Sequence, residues 1–407
     1  MSVKDKILKE IESNRGILDM KPAWVHRTFL PPGRRLKLHP YDYYDGGGKY
    51  GGVCERWMAS TGMADNGPLT RENEGLSFIA LRDGGFLPLR DAIEVAGDVI
   101  LGVDIMKKYG CLRSFCKLYD YKAPIHFHVH LTEGHAQLVG VHSKPEAYFF
   151  PVQLNSITYD MDYTYFGFNP GTKKEDVVEC LENWGKFGGD NGLTELSRAY
   201  KLKIGTSWNV PSGILHAPGS LVTYEPQRVS DTSAFFQTMV SGYGVDKELL
   251  TKFYPDDKKN DMRYIVDSLD WEANIDPNFK ANHYHEPIEA APHAETLKEG
   301  YTENWIVCGA LDFSAKELTV LPGRTVTIKD NAAYGLIMMD GYGSINGSPV
   351  ETPALIRYDE KTSDEKYVVA EAAKEGVTIT NASANIPLVM LKHFGPENPD
   401  AAKFVRD

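Results

Sequence analysis

The chain of 407 residues has only five cysteines, Cys54, Cys111, Cys116, Cys180 and Cys308. None forms a C-x-x-C pair and the number is odd, so a disulfide framework is excluded and reduced thiols in a cytoplasmic protein are expected. No stretch approaches the ~18 apolar residues of a membrane span. The N-terminus, MSVKDKILKEIESNRGILDM, mixes charge with apolar residues and has no apolar signal-peptide core. Basic charge is also scarce. Lys and Arg number 44 against 56 Asp and Glu, for a net charge of −12. Such a chain is a poor general binder of nucleic acid or anionic membrane, and an anionic substrate would need a local basic pocket. Low-complexity segments and clear residue-level repeats are absent. What is abundant is apolar material, 42% with 11% aromatic, which is enough to fill the cores of two or three domains.

Residues 4–19 are expected to form a surface helix with Ile7, Leu8, Ile11 and Ile17 on its apolar side. A Pro- and Gly-rich loop with Tyr41, Tyr43 and Tyr44 follows. PLRDAIEVAGDVIL (88–101) predicts a helix, and Thr172 with Glu175 predicts a capping box opening another. Elsewhere strands dominate. Eight strand-like segments, WIVCGA (305–310), ELTVL (317–321), TVTIK (325–329), YGLIMM (334–339), ALIRY (354–358), YVVAE (367–371), VTITN (377–381) and PLVML (387–391), suggest a closed sandwich or barrel.

Five of the twelve histidines fall within 126–142. PIHFHVHL alternates strictly, so on a strand His126, His128 and His130 project from one face, ~7 Å apart at the backbone. Imidazoles so placed can converge on one ion, and they suit Zn, Fe, Ni or Cu. SKPEAYFF offers Glu146 as a third ligand, and a turn in VPSGILHAPG offers His216 as a fourth. His135 and His142 read as ordinary loop histidines. His283 and His285 read as solvated.

Taken in order, these motifs resemble the class I phosphomannose isomerases, a family of bicupin, metal-dependent sugar isomerases. The resemblance is carried by CERWMAS with Glu55, Trp57 and Ser60, by LPLRDAIEVAGDVILG, and by FCKLYD with Lys117 and Asp120. It continues through HVHL, where His128 stands in place of a family glutamine and His130 matches its histidine. SKPEAYF with Glu146, PSGILHA with His216, and an intact E-x-Q-x-x-S-D (Glu225, Gln227, Ser230, Asp231) complete it. The resemblance implies a mainly β fold of two cupin (jelly-roll β-barrel) domains with a helical insertion. The corresponding layout is an N-terminal helix (1–20), a catalytic domain (21–270) with the insertion near 171–203, a linker (271–300) and a structural C-terminal domain (301–407). It implies a metal held by His128, His130, Glu146 and His216, zinc or another divalent ion such as Mn, Fe, Ni or Co. It also implies aldose–ketose isomerisation of a small sugar or sugar phosphate. For that chemistry Lys117, Lys144, Glu225 and Asp231 are the candidate catalytic groups, the lysines alternatively serving as salt-bridge partners of the two carboxylates.

Two departures bear on the substrate. Four residues after Asp231 the family usually has an arginine, and here the position is Phe235, which cannot pair with phosphate. The change from glutamine to His128 replaces an amide oxygen with an imidazole at the metal. Both point toward a different or non-phosphorylated sugar. Another metalloenzyme of a sugar-like substrate (an epimerase, lyase or oxygenase) and a non-catalytic sugar-binding protein stay open as alternatives. The partner set is a small substrate, no nucleic acid and no membrane, with a homodimer allowed for. The C-terminal part has no H-x-H, and its one histidine past residue 300 is His393.

Overall fold

A computed structural model describes residues 2–155, 162–185 and 189–404. The chain folds into a mixed α/β structure built on antiparallel sheets. In the largest, nine strands run in the order Ile288–Glu289, Tyr301–Val307, Ser314–Val320, Leu388–Phe394, Tyr334–Asp340, Glu365–Val368, Ile17–Lys21, Phe78–Ala80 and Phe86–Pro88. A four-stranded sheet (Thr325–Ile328, Val377–Asn381, Tyr342–Ile345, Ser348–Glu351) accompanies it. A seven-stranded sheet runs Tyr284–His285, Ser207–Val210, Glu146–Phe149, Thr223–Arg228, Ser114–Tyr119, Gly52–Met58 and Ala23–Arg27. A five-stranded sheet runs Ser197–Lys201, Tyr163–Phe168, Leu215–Ala217, His128–Val129 and Ala234–Phe235.

Among the described residues the expected cupin jelly-roll barrels are not found. Each sheet has two edge strands that do not pair with each other, so none closes. Several edges are also too short to carry a barrel seam, such as the two-residue strands Ala234–Phe235 and Tyr284–His285. Barrel closure requires strand tilt and stagger to match around the whole sheet, and alternation of residues along single strands carries no information on that. Helices make up the rest of the mixed class. Leu89–Ile100 follows the expected 88–101 closely. The first helix stops at Ser13, and Ile17 lies instead on a strand that pairs with Glu365–Val368. The helix expected from Thr172 begins at Lys174, with the Lys173 N–H bonded to Asp176. ALIRY forms no strand. Ile356 makes a single bridge to Leu38, while Leu355 is exposed.

Alternation within the seven-stranded sheet positions the site. Tyr224, Cys116, Leu118, Ala147 and Phe149 turn one way, into a core shared with Ile306, Ile337, Val389 and Leu391 of the nine-stranded sheet. Burying each such aliphatic side chain is worth ~1.5–3 kcal/mol. Their neighbours Glu225, Gln227, Lys117, Glu146 and Tyr148 therefore face the opposite way. All five are buried, and a polar, charged layer results. Arg56 ties the two sheets together through Asp364 at 2.8 Å and Glu365 at 3.0 Å. No helix among the described residues is long and apolar enough to cross a membrane.

Candidate metal centre

His128 and His130 come from the short strand His128–Val129 and its continuation. His216 comes from Leu215–Ala217, whose register sets His216 directly opposite His128. The turn before His216 depends on Gly213, which adopts a φ of +88° and would drive a Cβ to 2.8 Å from Thr132. Its N–H bonds to the His130 carbonyl at 2.7 Å. Asn274, fully buried, braces the same turn, bonding the Gly213 carbonyl at 2.7 Å and the Leu215 N–H at 2.8 Å.

The three imidazoles place ligand nitrogens within 4.8 Å of one another, and all are buried. Each Nδ1 meets a main-chain carbonyl: His128 that of His126 at 2.7 Å, His130 that of Thr232 at 2.6 Å, and His216 that of Ile214 at 2.8 Å. A carbonyl oxygen only accepts, so each Nδ1 carries the proton and each Nε2 keeps a lone pair for a ligand. Burial, together with the positive Lys144, pushes His130 down to about 3. Burial and the neighbouring imidazoles hold His128 well below the usual range. Both rings stay neutral, the form that binds metal.

Glu146 supplies the next donors. Its Oε1 lies 3.1 Å from His216 Nε2 and its Oε2 lies 3.1 Å from His130 Nε2. Among the described residues His216 Nε2 has no hydrogen-bond partner, while Glu146 Oε2 also meets Lys144. Lone pairs thus face a carboxylate at 3.1 Å, a separation suited to neighbouring ligands each about 2.0–2.2 Å from one ion. The Tyr148 hydroxyl donates to Glu146 Oε1 and orients it.

Around these donors lies a charged network. Lys144 Nζ is 2.8 Å from Glu146 Oε2, 3.2 Å from His130 Nε2 and 3.4 Å from Glu225 Oε1. Lys117 Nζ is 3.0 Å from Glu225 Oε1 and 3.8 Å from Glu55 Oε2. Asp231 lies beyond the end of the Thr223–Arg228 strand and pairs with neither lysine. Arg27 grips it through two bonds of 2.9 and 3.0 Å and grips Glu55 through two of 3.0 and 3.2 Å. Three cations, Arg27, Lys117 and Lys144, thus face four carboxylates, Glu55, Glu146, Glu225 and Asp231. Burial opposes the charge of Glu146, but Lys144 and His130 hold it well below the carboxylate range. Glu225 goes the other way. Burial and the Glu146 charge raise it to about 8 against the pull of Lys117 and Lys144. With Glu225 largely protonated near neutral pH the fixed charges balance, and buried imidazole lone pairs beside the ionised Glu146 are the environment a divalent cation satisfies. His128, His130 and His216 form a divalent-metal-binding site, and imidazole donors suit Zn²⁺ or another such metal.

His126 does not join the cluster. The regular strand begins only at His128, so the same-face argument does not extend back to residue 126. His126 Nε2 donates to the Tyr243 carbonyl at 2.8 Å, and its ring stacks on Phe235 with centroids 5.6 Å apart. Phe235 is buried and packs against His128 at 5.4 Å and Phe29 at 5.2 Å, an apolar wall beside the donors. Arg228 points away, to Asp312 and Glu133. Arg27 and Tyr121, whose hydroxyl donates to Glu55, went unrecognised in the sequence. The one signal for Arg27 is a guanidinium inside AWVHR, a strand buried at every position.

No family model matches the chain, and no curated protein matches it. Solved structures do. A putative mannosephosphate isomerase from Archaeoglobus fulgidus superposes with a TM-score of 0.59 at 16% identity, over 93% of this chain and 97% of that one. A point mutant of phosphomannose isomerase from Salmonella typhimurium gives 0.59 at 13%, over 94% and 100%. A mannose 6-phosphate isomerase bound with zinc and yttrium gives 0.59 at 14%, over 94% and 100%. The chain shares the fold of the phosphomannose isomerases over nearly its whole length.

Proposed function

We propose that the chain is a metal-dependent aldose–ketose isomerase. The observation that carries this reading is the meeting of three imidazole lone pairs and Glu146 with a Lys117–Glu225–Lys144 relay in one buried layer. His128, His130, His216 and Glu146 would hold the ion, which when bound polarises the carbonyl and hydroxyl oxygens of a sugar. The residues then divide the remaining work. Lys144, held protonated by Glu146 and Glu225, provides a fixed positive charge beside the donors for negative charge developing on substrate oxygen. Glu225 bridges the two ammonium groups and has a pKa near the operating pH. It is suited to carry the proton moved between C1 and C2, with Lys117 as its partner. Arg27 holds Asp231 and Glu55 in place as positioning carboxylates.

The substrate class follows from how the cations are used. Arg27, Lys117 and Lys144 each have a carboxylate partner within 3.0 Å, and Phe235 packs carbon against the His128 ring. This favours an uncharged sugar over a sugar phosphate. The test is ketose formation from a panel of free and phosphorylated aldoses, combined with elemental analysis of the same sample. Turnover of free aldoses with about one divalent ion per chain is expected. Full activity in dialysed, metal-free protein would sink the reading. The three-imidazole donor set also suits iron, so a sugar oxygenase is the second reading, favoured if the sample holds iron and consumes oxygen.

A further inference from the structure

A cavity of about 370 Å³ lies apart from the metal centre, between the Leu89–Ile100 helix, the 110–113 turn and the ends of the 142–146 and 223–229 segments. Its volume falls in the range of small-molecule sites. Ile93, Leu112 and Val229 make an apolar floor. Arginine dominates the charged lining: Arg90, Arg113 and Arg228 line the cavity against a single carboxylate, Glu94, in a chain whose net charge is −12. Two of the three are countered by carboxylates outside the lining, Arg90 by Asp91 and Arg228 by Asp312 and Glu133, which leaves Arg113.

The three guanidiniums are not equivalent. Arg228 is fixed by Asp312, Glu133 and Ser143 and serves as wall. Arg90 holds only its exposed neighbour Asp91, at 3.1 Å. Arg113 has no carboxylate partner among the described residues and lies over the Tyr109 ring at 5.1 Å. An unpaired guanidinium beside an apolar floor matches a ligand with the same division. His142, with an exposed ring, adds a donor at the rim.

We propose that this cavity binds a small molecule with an apolar body and one oxyanion head, the body on Ile93, Leu112 and Val229 and the head on Arg113 and Arg90. The site is independent of the proposed isomerase reading, since it shares no residue with the metal centre.

Cys111 lines the cavity and is the exposed thiol of the five, so its labelling by an aromatic disulfide reports occupancy. The metal-loaded full chain is labelled alone and with 2-naphthoate, 2-naphthyl phosphate or the neutral 2-naphthalenemethanol. A Cys111→Ser control identifies the reacting thiol. Either anion should slow labelling roughly tenfold, while the alcohol, lacking the charge-assisted bonds, should protect about tenfold less well. Comparing the two anions tells a carboxylate ligand from a phosphate one. Arg113→Gln should remove the protection with melting temperature and metal content unchanged. Arg90→Gln, on an exposed position, should weaken it and serves if the first variant misfolds. Equal protection by alcohol and anions, protection that survives both substitutions, or none at millimolar probe would overturn the proposal.

Discussion

The molecule buries two clusters of charge, and they end differently. In the C-terminal part Lys316 and Lys392 stand opposite each other on paired strands. Asp330 bridges them at 2.7 Å on each side. Glu303 closes the ring, 3.2 Å from Lys316 and in contact with Lys392. Two ammoniums meet two carboxylates, so the charge is balanced and no histidine takes part. In the metal centre the lysines and carboxylates are as deeply buried, but three neutral imidazole acceptors converge beside Glu146. Burial alone therefore does not mark a reactive site. A surplus of electron-pair donors does, because only an external cation can satisfy it, whereas the balanced ring is a structural unit held by its own charges.

The comparison can be broken first where the expected effect is largest. His130→Ala or His216→Ala should release the bound ion and abolish turnover, read by elemental analysis and ketose assay, while Lys392→Met should leave metal content untouched. The latter substitution strands Asp330 and Glu303 and should cost about 3–5 kcal/mol in chemical denaturation. Metal loss in Lys392→Met, or metal retained in both histidine variants, would erase the distinction. Next, Glu225→Gln should lower kcat by about 10²–10⁴-fold with metal retained. An unchanged kcat would remove Glu225 from the proton path.

Much of the metal centre was legible because it depends on short-range pattern. The HFHVH alternation, the glutamate opening an aromatic strand and the P-S-G turn before His216 are all local, and the structure brings all four residues together. The rest was not local. Arg27 meets Asp231 across 204 positions, and no spacing rule reports such a pair. Glu225 and Asp231 do not share a strand, because the one that carries Glu225 ends at Arg228. Placing His126 beside His128 failed for the same reason at the other end. Of the eight C-terminal segments, ALIRY forms no strand, its single buried residue, Ile356, being too little to hold it in a sheet, and YVVAE is strand only at Tyr367 and Val368 before the Ala370–Glu375 helix begins. Closure into barrels was the larger error, since strand content can be read along a sequence but pairing at the sheet edges cannot.

Acid provides a third, smaller contrast. His393, on the nine-stranded sheet, is pushed down to about 3 by burial and bonds the Tyr224 hydroxyl of the site sheet at 3.0 Å. Between its unfolded value of about 6.5 and that folded value, the unfolded chain binds more protons. Its contribution is therefore complete above pH 6.5 and declines as pH falls, by up to about 1.4 kcal/mol per pH unit. His393→Gln should flatten the loss of stability between pH 6.5 and 5, and identical slopes in denaturant titrations would refute this. Smallest of all, Phe235→Arg should raise kcat/KM for phosphorylated over free sugars by roughly tenfold, the worth of one charge-assisted contact. An unaltered ratio in a folded variant would mean this wall does not face the substrate.

The carbonyls that receive the Nδ1 protons belong to His126, Ile214 and Thr232, and a carbonyl is common to every amino acid. The apparatus that aims the donors is thus written in backbone shape and not in side-chain identity. Those three positions can drift through evolution while the lone pairs stay aimed. A lineage can in this way carry the same grip on an ion long after its sequences have ceased to look alike.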